Sequence, residues 1–275
     1  MAQARPGLNS NNGAATGAPM KVATWNVNSL RARLDLTLDW VAREQPDVLC
    51  MQETKVLDGE FPTEEFQRLG YGVVMAGEKS YNGVAIAARG LLRDVKIGLV
   101  GAAKRDDKRV ISATFKKTQI FCCYVPNGKS LDSPDFEYKL RWLDQLRATL
   151  DAWSSPSKDV IVCGDFNVAR EARDVFDVRL FEGQTHFHPR EHAAVNRVLE
   201  FGLNDAFRLF DDRAEQYSWW DYRAGSFRKN EGLRIDYIFV SESLKQRCDK
   251  VWMDVGEREK DKPSDHIPVV ATFRA

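Results

Sequence analysis

The chain has no excess of either charge: 40 Lys and Arg balance 40 Asp and Glu over 275 residues. That excludes a protein that coats nucleic acid by bulk electrostatics, although it permits a local basic face. No apolar run is long enough to cross a bilayer, so no membrane partner is expected, and residues 1–19 lack the apolar stretch of a secretory signal. Those residues, MAQARPGLNSNNGAATGAP, are rich in Ala, Asn and Gly and are expected to form a disordered tail. An organelle-targeting segment fits less well, since Arg5 is their only charge. Cysteine is scarce and odd in number: Cys50, Cys122, Cys123, Cys163 and Cys248, with no zinc-site spacing. At least four lie in apolar runs, which points to reduced core thiols of a cytoplasmic protein rather than a disulfide framework. No linker divides the chain and no internal repeat is visible, so one domain over residues 20–275 is expected.

What is present is a large core, at 43% apolar and 11% aromatic residues. KVATWNV, DVLCMQET, YGVVMAG, GVAIAAR, RVISATF, QIFCCYVP, DVIVCGDFN, LRIDYIFVS and HIPVVATF read as strands, many of them β-branched and bounded by Gly, Pro or Asn. Leu30, Leu34, Leu38 and Val41 recur at helical spacing before Pro46. Residues 134–153 form a stronger helix, with Phe136, Leu140, Leu143, Leu146, Leu150 and Trp153 on one face and Ser133-Pro134 at its start. A third helix spans 190–201, closed by Gly202. Strands often follow strands directly, so the sheets should be mostly antiparallel: two packed sheets flanked by helices.

In VIVCGDFNVA an apolar strand stops by presenting Asp165 and Asn167, which share a face if extended geometry persists. Alone, this is a Gly-Asp turn. The pattern recurs, however. VATWNVN ends in Asn26 and Asn28, DVLCMQET in Glu53, and IFCCYVPNG in Tyr124 and Asn127, while Asp265-His266 precede the last strand. Strand ends of one sandwich can converge on a single rim. Oxygen donors there suit a hard cation, Mg²⁺ or Mn²⁺, and Mg²⁺ in turn suits a phosphate ester. Asp236, inside an apolar strand, needs a partner, either Arg234 or a distant His. His186, His188 and His192 form HFHPREH, a superficial metal motif that no Cys or acid pattern completes. If Asp265 and His266 serve one site, the turn between Pro263 and Pro268 must be irregular.

These residues carry a resemblance. The blocks TWNVNSLRAR, PDVLCMQETK, YVPNG, GDFN, SWWDYR, LRIDYI and PSDH resemble, in order, those of exonuclease III-type AP endonucleases within the endonuclease/exonuclease/phosphatase superfamily. GDFN marks the superfamily; NSLRAR, QETK and LRIDY together point to its DNA-repair branch. The resemblance implies a four-layer α/β-sandwich that hydrolyses DNA phosphodiesters with Mg²⁺, or Mn²⁺ in its place. Glu53 would be the main metal ligand, with Asn26 and Asp265 nearby. Asp165, helped by Asn167, would orient or deprotonate the attacking water. His266, held by Asp236, would face the scissile phosphate, and Tyr124 and Asn127 would contact it. Trp219, Leu233 and Ile235 match positions that line a pocket for the abasic sugar. The chain departs from some relatives in the short segment between YVPNG and residue 134, which bears on processive exonuclease activity. It also departs at Asn28, where some have Asp and where no ligand role is assigned.

The expected reaction is in-line attack of water 5′ to an abasic site in duplex DNA, leaving a 3′-hydroxyl, with 3′ to 5′ exonuclease and 3′-phosphatase activity alongside. The substrate would be duplex DNA with abasic sites or 3′-blocked ends, and the protein a cytoplasmic monomer, nucleoid-associated if bacterial. Arg31, Arg33, Lys55, Arg223 and Arg234 are candidates for a DNA-facing basic rim, whereas Arg228 and Lys229 read as ordinary surface charge. Three alternatives stand beside this reading. They are a superfamily phosphodiesterase for RNA or a small phosphorylated molecule, a non-catalytic nucleic-acid-binding module, and a zinc protein built on HFHPREH.

Overall fold

The computed structural model describes residues 19–102 and 108–275. Apart from Pro19, the tail expected over residues 1–19 lies outside them. Two six-stranded sheets form the centre. The first contains β1 (Met20–Asn26), β2 (Val48–Gln52), β3 (Gly72–Ala76), β4 (Val84–Ala88), β13 (Cys248–Met253) and β14 (Val269–Phe273), in the order β13-β14-β1-β2-β4-β3. The second contains β5 (Leu92–Ile97), β6 (Val110–Phe115), β7 (Thr118–Tyr124), β8 (Val160–Asp165), β9 (Leu203–Asp205) and β12 (Asp236–Ser241), in the order β5-β6-β7-β8-β12-β9. A small ribbon pairs β10 (Trp219–Trp220) with β11 (Gly232–Leu233).

Both sheets are antiparallel except for one central pair each, β1 with β2 and β7 with β8. A parallel pair needs a crossover, and a helix supplies it in each case: α1 (Leu34–Glu44) and α3 (Pro134–Trp153). The two sheets therefore repeat one topology, a repeat that no sequence similarity announces. The bounds of α3 match its apolar spacing, because Ser133 Oγ accepts the Asp135 amide at 3.1 Å and Pro134 occupies the first turn. Helix α5 (Pro189–Leu199) ends three residues before Gly202, whose φ of +101° completes the reversal.

Between the sheets lies a core of β-branched and small side chains that includes Val22, Cys50, Ile86, Cys122, Cys163, Ile238 and Val269. Helices α3 and α5 cover the outer face of the second sheet, while α1 and α2 (Thr63–Arg68) cover that of the first. This is the four-layer sandwich expected. All five cysteines are free and buried. Strands β5 and β13 escaped the sequence reading because they are edges with charged, exposed positions such as Asp94, Lys96, Asp249 and Lys250. None of the described helices is long and apolar enough to cross a membrane.

Candidate active site

Four chemistry-bearing residues sit at the carboxyl ends of the parallel strands, where open α/β sheets place their ligands. Asn26 ends β1, Glu53 follows β2, Tyr124 ends β7 and Asp165 ends β8. Topological equivalence of the sheets puts Glu53 and Asp165 in corresponding places. Gly164 allows this junction: its φ is +140°, and a Cβ there would lie 1.9 Å from Cys123 O on the neighbouring strand. The antiparallel strand β12 begins beside Asp165, with Asp236 directly opposite it. The irregular segment between Pro263 and Pro268 then brings in Asp265 and His266 together, with Ser264 Oγ donating to Asn26 O at 2.7 Å and accepting from His266 N at 3.2 Å.

The result is a cavity of about 170 Å³ lined by Glu53, Tyr124, Asn127, Asp165, Asn167, His186, Trp219, Leu233, Ile235, Asp265 and His266. Ligand atoms of Glu53, Asp165 and His266 lie within 4.8 Å of one another. Asn26 Nδ2 bridges the two acids, donating to Glu53 Oε1 at 2.8 Å and Asp165 Oδ2 at 2.9 Å. Its Oδ1 meanwhile accepts the Asn28 amide at 3.0 Å. As placed, Asn26 is thus a donor that spaces the two carboxylates. Asp265 is also engaged, accepting from Asn28 Nδ2 at 2.9 Å and from Trp219 Nε1 at 3.0 Å.

Burial and charge set the proton affinities. Burial raises Asp165 to about 7, with the nearby charges of Asp236 and Glu53 adding to the rise and His266 opposing it. Burial alone would lower His266, but the charges of Asp236 and Asp165 outweigh it and hold the imidazole at about 10. Burial would likewise raise Glu53, yet the Lys55 charge and the Asn26 hydrogen bond leave it below the usual carboxylate range. Tyr124 is pushed well above an ordinary phenol by burial and by Glu53 and Asp165, so it faces the cavity as a neutral hydroxyl.

The donor set fits a hard divalent cation, being dominated by carboxylate oxygens. A cationic group already sits against it: Lys55 Nζ is 2.7 Å from Glu53 Oε2 and 2.6 Å from Asn28 Oδ1.

A family model described as the endonuclease/exonuclease/phosphatase family matches residues 23–266. The chain belongs to that family. It is 34% identical to "Exodeoxyribonuclease III" of Haemophilus influenzae, over 93% of this chain and all of that protein. Among solved structures, an AP endonuclease from Archaeoglobus fulgidus superposes with a TM-score of 0.90 at 38% identity, over 93% of this chain and all of that one. The 3′ phosphatase NExo from Neisseria, solved with a product DNA hairpin, gives 0.89 at 35% identity, over 92% and 99%.

Within the family frame, most sequence-derived candidates converge on one cavity, but Arg234 does not. Its side chain is buried and bonded to Asp174 at 2.8 Å and Asp205 at 2.8 Å, so it cannot reach DNA. The partner of Asp236 is accordingly His266, not Arg234. Arg31 is exposed and paired with Glu60 at 3.1 Å, Arg33 donates to Tyr222 OH at 3.0 Å, and Arg223 pairs with Asp221 at 2.5 Å. HFHPREH splits three ways. His188 Nδ1 caps α5 through Arg190 N at 3.1 Å, His192 Nε2 meets Ala169 O at 2.9 Å, and only His186 lines the cavity. These three rings form no common metal cluster among the described residues. His186 was the functional candidate that spacing concealed: its value lies in a loop that returns to Asn167 O, 2.7 Å from Nδ1. Burial and the Lys139 charge lower it to about 4, so the ring is neutral.

Proposed function

We propose that the chain is a DNA-repair phosphoesterase that incises duplex DNA 5′ to abasic nucleotides and clears 3′-blocking groups, with Mg²⁺ or Mn²⁺ held chiefly by Glu53 and with Asp265 nearby. The observation that carries this reading is the meeting of Glu53, Asp165 and His266 within 4.8 Å in a polar cavity with an apolar wall. In this scheme Asp165 and Asn167 hold the attacking water in line, and Asp165 accepts its proton. His266, as imidazolium, keeps Nδ1–H on Asp236 and aims Nε2–H at a phosphoryl oxygen, stabilising the charge that grows there. Tyr124 and Asn127 donate to the remaining phosphoryl oxygens. The cation, when bound, adds positive charge beside the phosphate as negative charge builds. Trp219, Leu233 and Ile235 form the wall for a nucleotide that lacks a base, which is cheaper to extrude than an intact one. Arg31, Arg33, Lys55 and Arg223 would supply backbone contacts, Arg31 and Arg223 by exchanging surface carboxylates for phosphates.

One observation favours a second reading in which 3′-end clearing dominates. The His186 ring lines the cavity with Trp219, Leu233 and Ile235, and a side chain of that size would leave less room for an internal abasic sugar. A 3′-terminal phosphate needs less of that space.

The test is a side-by-side assay on two duplexes, one with a single internal abasic analogue and one with a 3′-phosphate at a nick, using Mg²⁺ or EDTA. Both reactions should require the metal, and Asp165→Asn should slow both by about 10³-fold. Faster turnover of RNA or a small phosphorylated molecule would overturn the DNA reading. DNA binding without EDTA-sensitive cleavage would mark a non-catalytic module.

A further inference from the structure

Helix α3 carries a residue that its apolar pattern does not explain. Lys139 sits among Phe136, Leu140 and Leu143, and none of its surface reaches solvent. Burying an ammonium is costly unless it is fully paired, and an apolar side chain fills such a place more cheaply. An ammonium does, however, bring three donors. Here all three have acceptors. Nζ donates to Asn167 O at 2.7 Å, to Asn127 O at 3.1 Å, and to Glu191 of α5, itself fully buried.

The surroundings reinforce this node. Thr185 Oγ1 lies 3.2 Å from Asn127 O and 3.0 Å from Glu191 Oε1. Glu191 Oε2 accepts the His188 amide at 3.0 Å, which ties the start of α5 to the same point. Gly128 closes over it with φ +89°, and a Cβ there would come within 3.0 Å of Lys139 Cδ and 3.1 Å of Thr185 Oγ1. Burial lowers the Lys139 pKa and the Glu191 charge opposes that; Glu191, which burial would raise, is instead held below its ordinary range by Lys139.

The two carbonyls belong to Asn127 and Asn167, whose side chains both line the cavity. Their carboxamides meet there, Asn127 Nδ2 donating to Asn167 Oδ1 at 3.3 Å. They come from different loops, one after β7 and one after β8. We infer that Lys139 is a positioning residue: its ammonium, anchored by Glu191, ties the main chains of Asn127 and Asn167 together and so sets the spacing of the two carboxamides, one toward the substrate phosphate and one toward the attacking water. The inference rests on the reading that this cavity takes a DNA phosphate.

The experiment compares wild type, Lys139→Met and the double variant Lys139→Met/Glu191→Leu. The double variant removes both buried charges, so its Tm should lie above the single variant's, and below wild type because the His188 amide and the two carbonyls lose a partner. If Lys139 positions the loops, kcat of the double variant stays about 10²-fold down, with KM little changed. The side-chain amide signals of Asn127 and Asn167 in ¹⁵N spectra should also move. A folded double variant with native kcat would overturn the inference, as would a loss of kcat with both amide signals unmoved. The amide signals are read without substrate, so they judge the positioning role even if the wild type cleaves no DNA. Should the double variant not fold, Lys139→Arg asks the same question. A guanidinium that spans both carbonyls should keep the amide signals in place, and displaced signals in a folded Lys139→Arg with native kcat would refute the link.

Discussion

His266 Nδ1 lies 2.9 Å from Asp236 Oδ2, and Ser218 Oγ donates to that same oxygen at 2.7 Å. Ser218 Oγ in turn accepts the amides of Ile235 and Asp236 at 3.1 and 3.0 Å. The carboxylate is therefore pinned at the start of β12 and fixes the imidazole's orientation. Nε2 then points to Asp165, 3.7 Å from Oδ2.

Asp236→Asn should lower kcat by about 10²-fold or more, since a fixed imidazolium is replaced by a ring of lower proton affinity. The sign follows from the raised value of about 10: the active, protonated His266 is lost as pH rises through it. Without the Asp236 charge, that alkaline limb should move to lower pH. A pH–rate profile checks it; an unmoved limb would show that another group sets it.

Glu53→Gln keeps the shape and the contact with Asn26 but removes the charge. Mn²⁺ affinity, followed by EPR titration without DNA, should weaken by about tenfold or more. Unchanged affinity would place the ion elsewhere.

His186→Gly opens the cavity wall and suits the backbone, since His186 has φ +76°. The rate of internal abasic incision relative to 3′-phosphate removal should rise by about tenfold. A fixed ratio would mean that the ring does not limit the larger substrate.

Arg234→Met leaves Asp174 and Asp205 without their shared guanidinium in a buried setting. Stability should fall by about 3–5 kcal/mol. At temperatures where the variant stays folded, the salt dependence of DNA affinity should match wild type, because Arg234 touches no phosphate. A shallower slope would return Arg234 to the DNA face.

The fold was legible where side-chain spacing and capping agree. Helix α3 shows both, and the strands around GDFN and LRIDY show dense β-branching. The site was legible as residue types, because hard oxygen donors at several strand ends admit few chemistries other than a divalent cation and phosphate. Arg234 misled because its neighbours in sequence belong to the cavity while its own side chain, one step along the chain, points to the opposite side. HFHPREH is rightly read as an incomplete metal motif, since its three imidazoles, close in sequence, have three separate partners in space.

By itself, then, the sequence determined local geometry, the apolar faces and the chemical repertoire, all of which depend on near neighbours. Tertiary structure decided which polar groups meet: that Asp236 serves His266, that Asn26 turns its nitrogen to the carboxylates, and that Lys139 lies beneath two loops. Such pairings join groups far apart in the chain, and in a packed interior each buried charge or amide takes whichever partner the layers bring within hydrogen-bonding reach.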